Sequence, residues 1–402
     1  MDNSHDAEFE IRKQAIKDFL HNNLTQKDIC EKLNKSRYWF EYWFRQYRDK
    51  GIAGLYANCK GYPKGKPRKY PSRLTSEITN IRRRLEQDSQ EYYYGAEKIA
   101  QELLDLGYSK NEIPSIPYIK KVLSKQGCVR QTKSKNYTPL KGYPEAFLGT
   151  LGLLCQMDFV GYKRIHNSNY PIHFLALAYR ELKYGNIWRI KAERSNVIIP
   201  LLFEYWQDNP KPSVVQMDND WAFAGSGSAK GTISQMLKFL LALEITPLFI
   251  PEASPWRNGS VEGTNSIFGR KFWQKHDFKS LTHIDKELDI YNKKTREYRA
   301  RRFNLDLSRY DTISKGQSFA KKLITDYRFR DSDIIYFIRL GQSYNRRAGV
   351  KVLNHVISIP EEFLNHYILI KLCITSKRVF LYQEVENKQL VEIKKSKIKL
   401  KL

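Results

Sequence analysis

The chain has 402 residues, enough for several domains, each with a core of its own. Its 69 Lys plus Arg outweigh 43 Asp plus Glu, a formal net charge of +26; such a surplus points to a polyanionic partner, because neutralised phosphates release counterions, and a generally basic surface is the plainer alternative. The five cysteines (Cys30, Cys59, Cys128, Cys155, Cys373) form no CxxC pair and no even framework, which fits a reducing compartment; the polar, acidic start is no signal peptide, and no apolar stretch nears the about 18 residues of a membrane span.

In chain order, Ile11, Ala15, Ile16, Phe19 and Leu20 recur at helical spacing. Thr25 predicts the cap of a short helix ending near Lys32, with Asp28 in the capping-box place, and Ser36 predicts the cap of a third helix that Gly51 stops. Helix, short turn, helix over residues 1–57 is the helix-turn-helix plan. Its third helix carries Arg37, Tyr38, Trp39, Tyr42, Arg45, Gln46 and Arg48, which would reach base edges and phosphates in a major groove; a small bundle with a charged face is the alternative. Residues 58–73, with Lys66, Arg68 and Lys69 among Pro and Gly, read as a basic linker or as an arm along DNA. Residues 74–130 predict a second trihelical unit, read as a further DNA-binding domain, and 131–150 another linker.

From Leu151 the rhythm becomes that of strands. Residues 151–161, 172–179 and 184–190 predict an antiparallel meander, followed by a helix (196–206), a strand (213–217), a helix (232–243), a strand (247–250) and two further helices, from Asn258 and from about 284 to 301. This is a mixed-sheet α/β core over 151–310. Residues 330–402 predict strands at 334–340, 350–359, 366–374 and 379–383, read as a small β-barrel, with a lysine-rich tail that is either a solvated end or a phosphate contact.

Three acids stand in distinctive places. Asp158 interrupts the apolar run from Leu151, Asp218 closes the run Val214 to Met217, and Glu262 follows Asn258 and Gly259 where a loop hands over to a helix. Burying an acid at a strand end is costly unless a cation awaits it. Hard oxygen donors from strand ends and a helix suit a pair of Mg²⁺ (or Mn²⁺) ions about 4 Å apart, which clamp the attacking and leaving oxygens of a phosphodiester. Taken singly, each acid also has an ordinary explanation: a strand-end turn, an Asx turn and a first-turn helix acid. His166, His173, His276 and His283 lack the HExxH spacing of a zinc hydrolase, and Gly225 to Gly231 lacks the Gly-Lys-Ser/Thr ending of a P-loop.

The motifs Gln156-Met-Asp158-Phe159, Gln216-Met-Asp218-Asn219-Asp220 and Ser254-Pro-Trp256-Arg257-Asn258-Gly259-Ser-Val-Glu262 resemble the catalytic core of the retroviral-integrase superfamily in its bacterial insertion-sequence transposase form. The resemblance implies an RNase H-like fold, a DDE triad of Asp158, Asp218 and Glu262 holding two Mg²⁺ or Mn²⁺ ions, and a cytoplasmic, nucleoid-associated homo-oligomer on double-stranded DNA. Such an enzyme would bind the ends of a mobile element, cleave 3′ ends and join them to target DNA. A catalytically inactive DNA-binding regulator of the same descent and a structure-specific nuclease are the alternatives. Trp256, Arg257, Asn258, Arg270 and Lys271 are the implied DNA contacts beside the triad. Three departures stand out: Asp220 replaces the family's Gly, so that Asp220 becomes a candidate substitute metal ligand; 43 residues separate Asp218 from Glu262, a longer interval that Gly225 to Gly231 would absorb as a flexible insertion; and Gly269 stands where the family has Lys. Arg270, about 80° around the helix from Glu262, would serve instead. Trp188, Trp206 and Trp221 read as core aromatics.

Overall fold

The computed structural model describes residues 3–22, 24–56, 70–129, 142–165, 170–225, 230–252, 254–314, 320–385 and 388–401. Most of the basic linker, with Lys66, Arg68 and Lys69, and most of the Gly225 to Gly231 insertion lie outside them. The chain divides into two compact units, Met1–Pro71 and Ser72–Leu402.

The first unit holds α1 (Asn3–His21), α2 (Gln26–Leu33) and α3 (Arg37–Lys50) around a core of Ala15, Ile16, Ile29, Phe40 and Leu55. The Thr25 side chain accepts from the Asp28 amide while the Asp28 carboxylate accepts from the Thr25 amide, the expected capping box. Asn34, in the left-handed region at φ 49°, ends α2, and Ser36 Oγ accepts from the Trp39 amide to start α3.

The second unit begins with α4 (Ser72–Gln87), α5 (Ala96–Asp105) and α6 (Ile116–Lys125), then the single turn α7 (Glu145–Leu148). There follow β1 (Leu154–Lys163), β2 (Ile172–Tyr179), β3 (Gly185–Ile190), α8 (Ser195–Asp208), β4 (Val214–Met217), α9 (Trp221–Ala224), α10 (Gln235–Ala242), β5 (Thr246–Phe249), α11 (Gly259–Lys271), α12 (Leu281–Phe303) and α13 (Ala320–Asp326). The chain ends in β6 (Ile334–Leu340), β7 (Gln342–Tyr344), β8 (Arg347–Val352), β9 (His355–Ser358), β10 (Tyr367–Cys373), β11 (Arg378–Glu384) and β12 (Leu390–Lys397).

Nine strands form one mixed sheet in the order β12-β11-β10-β6-β5-β4-β1-β2-β3. β1, β2 and β3 pair antiparallel, whereas β1, β4, β5 and β6 run parallel. The meander and the two parallel additions on its far side are the arrangement expected of 151–310. Alternation along the strands sends Cys155, Met157, Val215 and Met217 into the core formed with α8 and α10, while Val160, Phe174 and Ala176 pack against α11 and α12 through Val261, Phe268 and Leu288.

The C-terminal strands do not close a separate barrel. β6 pairs with β5 and carries β10, β11 and β12 outward as an extension of the core sheet, while β7, β8 and β9 form a small sheet of their own. The physical reason is the apolar run of β6 and β10: Ile335, Phe337, Ile368, Ile370 and Leu372 complete the same core as Met217 and Phe249. The single strand predicted over 350–359 is a hairpin turning at Leu353 and Asn354.

The helices of 74–130 dock on the core through an aromatic and lysine seam. Tyr92 is fully buried against Phe272 and Tyr291, Tyr93 stacks on Tyr298 with ring centroids 3.8 Å apart, and Lys271, Lys275 and Lys294 donate to the carbonyls of Tyr92, Glu91 and Gln90.

Candidate active site

β1 outruns β4. Their last paired residues are Met157 and Met217, so Asp218, just past β4, follows beside Asp158, which is still within β1, at a backbone spacing of roughly 5 Å. By the period-2 alternation Gln156 and Asp158 share a face, as do Gln216 and Asp218, and that is the face on which α11 lies.

The start of α11 is held by glutamines in place of a local cap. A helix leaves its first amides without intrahelical partners, and Asn258, in the cap position, makes no side-chain cap bond. Gln156 Oε1 instead accepts from the Ser260 and Val261 amides at 2.8 and 3.2 Å. Its register partner Gln216 donates to Asn258 Oδ1 and to the Arg257 carbonyl, both at 2.9 Å. Both glutamines are buried, at 5% and 2% exposure. Val261 is locked into the core, and the next residue, Glu262, in the first turn of α11, is near enough to Asp158 for its charge to raise that carboxyl. One turn on, Asn265 Nδ2 donates to Asp158 Oδ2 at 3.3 Å.

The carboxylates feel one another. Burial first, then Asp218, Glu262 and Asp220, push the Asp158 carboxyl up to about 7. Asp218 and Asp220 are also raised, chiefly by burial. The strongest opposing influences on both are backbone amides, not cationic side chains. Acids crowded in this way, without a protein counter-charge, have the chemistry of a divalent-cation site. Among the described residues no three Asp, Glu, His or Cys side chains are grouped so as to hold an ion by themselves.

Asp220 takes an ordinary backbone conformation, φ −56°, and caps α9 by accepting from the Ala222 amide, while its own amide donates to Asp218 Oδ1 at 3.0 Å. No glycine-only angle exists at this position, which is why Asp is admitted there.

The residues expected to touch DNA divide. On α3, Arg37, Tyr38, Tyr42 and Arg45 are all exposed, and Phe40 turns inward. Trp256 and Arg270 are exposed beside α11. Trp221, expected in the core, is 55% exposed next to Asp220. Arg257, Asn258 and Lys271 are used inside the protein. The Arg257 guanidinium lies over Tyr143 at 3.6 Å and near Glu145, Asn258 is buried on Gln216, and Lys271 donates to Tyr92 with its ammonium pulled down to about 8 by burial and nearby arginines. Sequence reading passed over Gln156, Gln216 and Asn265 as site residues; polar side chains inside apolar strands were the available signal for the two glutamines.

No family model and no curated protein matches the chain. Among solved structures it is similar to the catalytic core domain of BIV integrase, at 15% identity over 34% of this chain and 78% of that one, with a TM-score of 0.26. It is also similar to a simian T-cell lymphotropic virus intasome in complex with PP2A regulatory subunit B56 gamma (12% identity, 73% and 95% coverage, TM-score 0.31). A third similarity is to a Mos1 transposase paired-end complex with left transposon end (13% identity, 79% and 97% coverage, TM-score 0.28). Similarity at this level assigns the chain to no family.

Proposed function

We propose that the protein is a metal-dependent DNA strand-cleaving and strand-transfer enzyme of the transposase and integrase type, acting on the ends of a mobile element. What supports this reading is Asp158 on β1, pushed up to about 7 by burial and by the charges of Asp218, Glu262 and Asp220, with Asp218 just past β4 and Glu262 in the first turn of α11. Asp158, Asp218 and Glu262 would together hold two Mg²⁺ or Mn²⁺ ions. When bound, such ions activate the attacking water or DNA 3′-hydroxyl and stabilise the departing oxygen.

The protein's own residues supply the frame. Gln156 and Gln216 fix the start of α11 and so the reach of Glu262; Asn265 orients one oxygen of Asp158. Trp256 just before α11, Trp221 just after Asp220 and Arg270 about two turns along α11 from Glu262 are exposed; there aromatic faces would stack on bases and a guanidinium would meet phosphate. The outward face of α3 is the candidate reader of element ends. Joining two ends requires two sites, hence a homo-oligomer on DNA.

Two substitutions test this. Asp158→Ala and Glu262→Ala should abolish Mn²⁺-dependent nicking and strand transfer on duplexes drawn from the DNA on either side of the gene, and leave duplex binding nearly intact. Nicking retained in both variants refutes the triad. Binding without nicking by the unsubstituted protein selects the inactive regulator, and nicking without transfer selects a structure-specific nuclease.

A further inference from the structure

A single arginine joins the C-terminal strands to the acid-bearing loop. Arg339, near the end of β6, is 6% exposed, yet every nitrogen of its guanidinium is satisfied. Nε donates to the Lys351 carbonyl at 2.9 Å, one terminal nitrogen donates to the carbonyls of Ile250 and Ile338 at 2.7 and 2.9 Å, and the other to Asn219 Oδ1 at 2.6 Å. Asn219 follows Asp218 directly, and its own amide donates to the same Ile250 carbonyl at 2.9 Å. Arg339, Ile250 and Asn219 thus close a small ring across the carboxyl ends of β6, β5 and β4. That edge of parallel strands is where ligands of open α/β sheets gather.

Burying an arginine that has no carboxylate hydrogen-bonded to it is expensive, and burial draws its guanidinium down to about 10. Stability alone is poorly served by such a group, since apolar residues of similar volume pack as well or better. A fixed planar fork does what they cannot: it sets the orientation of the Asn219 amide, and with it the backbone on which Asp218 stands.

We infer that Arg339 is a positioning residue for the metal site, holding the Asp218 carboxylate in place through Asn219. The inference rests on the functional reading above. Partners of this kind govern metal affinity: their loss typically weakens it by about 10- to 100-fold.

The test is a titration of full-length, DNA-free protein with Mn²⁺ alone, by calorimetry and by Mn²⁺ paramagnetic resonance. Arg339→Met and Asn219→Ala should each weaken Mn²⁺ binding by about tenfold, and the double variant by little more than either, as expected of one linked unit. Tyr179→Phe, which loses a buried bond to the Pro210 carbonyl elsewhere in the core, should bind Mn²⁺ like the unsubstituted protein even where its melting temperature falls. Asn219→Ala leaves Arg339 its three carbonyl acceptors, so it decides the question if Arg339→Met does not fold. Unchanged Mn²⁺ affinity in the Asn219 variant, against a measurable affinity in the unsubstituted protein, overturns the inference. No Mn²⁺ uptake by the unsubstituted protein overturns the metal-site reading itself.

Discussion

Replacing Asp158 by Asn should stabilise the metal-free protein at neutral and higher pH. The folded state raises this carboxyl from 3.8 to about 7. In the window between those values the folded chain binds more protons than the unfolded chain, so stability falls as pH rises through it. The full shift corresponds to about 4 kcal/mol, and solvent screening of a half-buried group leaves about 2 kcal/mol. For a unit of this size that is a gain of roughly 3 °C in melting temperature. Asn keeps an oxygen that can accept from Asn265, so the local geometry survives the exchange. Thermal denaturation in chelator at pH 8 and at pH 4 measures the effect: the variant should melt higher at pH 8 and at the same temperature as the unsubstituted protein at pH 4. Saturating Mn²⁺ should reverse the order at pH 8, since a ligand at a hundred times its Kd contributes about 2.7 kcal/mol to the protein that binds it. A variant no more stable at pH 8, or equally favoured at both pH values, would show that these acids do not strain the metal-free fold.

Other consequences are as concrete. Gln156→Leu leaves the part-buried amide of Ser260 and the buried amide of Val261 unpaired, costing about 2–3 kcal/mol in urea unfolding and disarming Glu262; the same loss should not follow from substituting exposed Gln274. Lys271→Met should remove a rise in stability between about pH 8 and 10.5, of about 2 kcal/mol after screening, because the depressed ammonium makes the folded state bind fewer protons than the unfolded one there. A titration in which substituted and unsubstituted proteins keep the same alkaline profile would contradict it. In DNA-binding assays Arg45→Ala should lower the slope of log K against log salt by about 0.9, whereas Tyr38→Ala should weaken sequence preference and leave that slope unchanged.

Much of this was legible in the residues. Thr25, Asp28 and Ser36 act within a few positions of themselves, so their caps could be read directly, and the meander and parallel strands around Asp158 and Asp218 follow from runs of apolar residues. What escaped was long-range. Tyr143 and Tyr367, more than a hundred residues away in either direction, turn Arg257 from a DNA contact into an internal strut. Tyr92 does the same to Lys271. Short alternating strands with charged turns look alike whether they close on themselves or join another sheet. Only the pairing of Leu248 and Phe249 with Tyr336 and Phe337 distinguishes the two.

That pairing bears on how the molecule is made. β5 ends at Phe249 and its neighbour β6 begins at Ile334, so the ribosome spends roughly 4–17 s between them at 5–20 residues per second. All three acids have emerged by then, but the strand beside them has a bare edge and Asn219 has no guanidinium to grip. A nascent or prematurely terminated polypeptide without β6 would carry all three acids and still lack both the strand that covers that edge and the guanidinium that bonds Asn219.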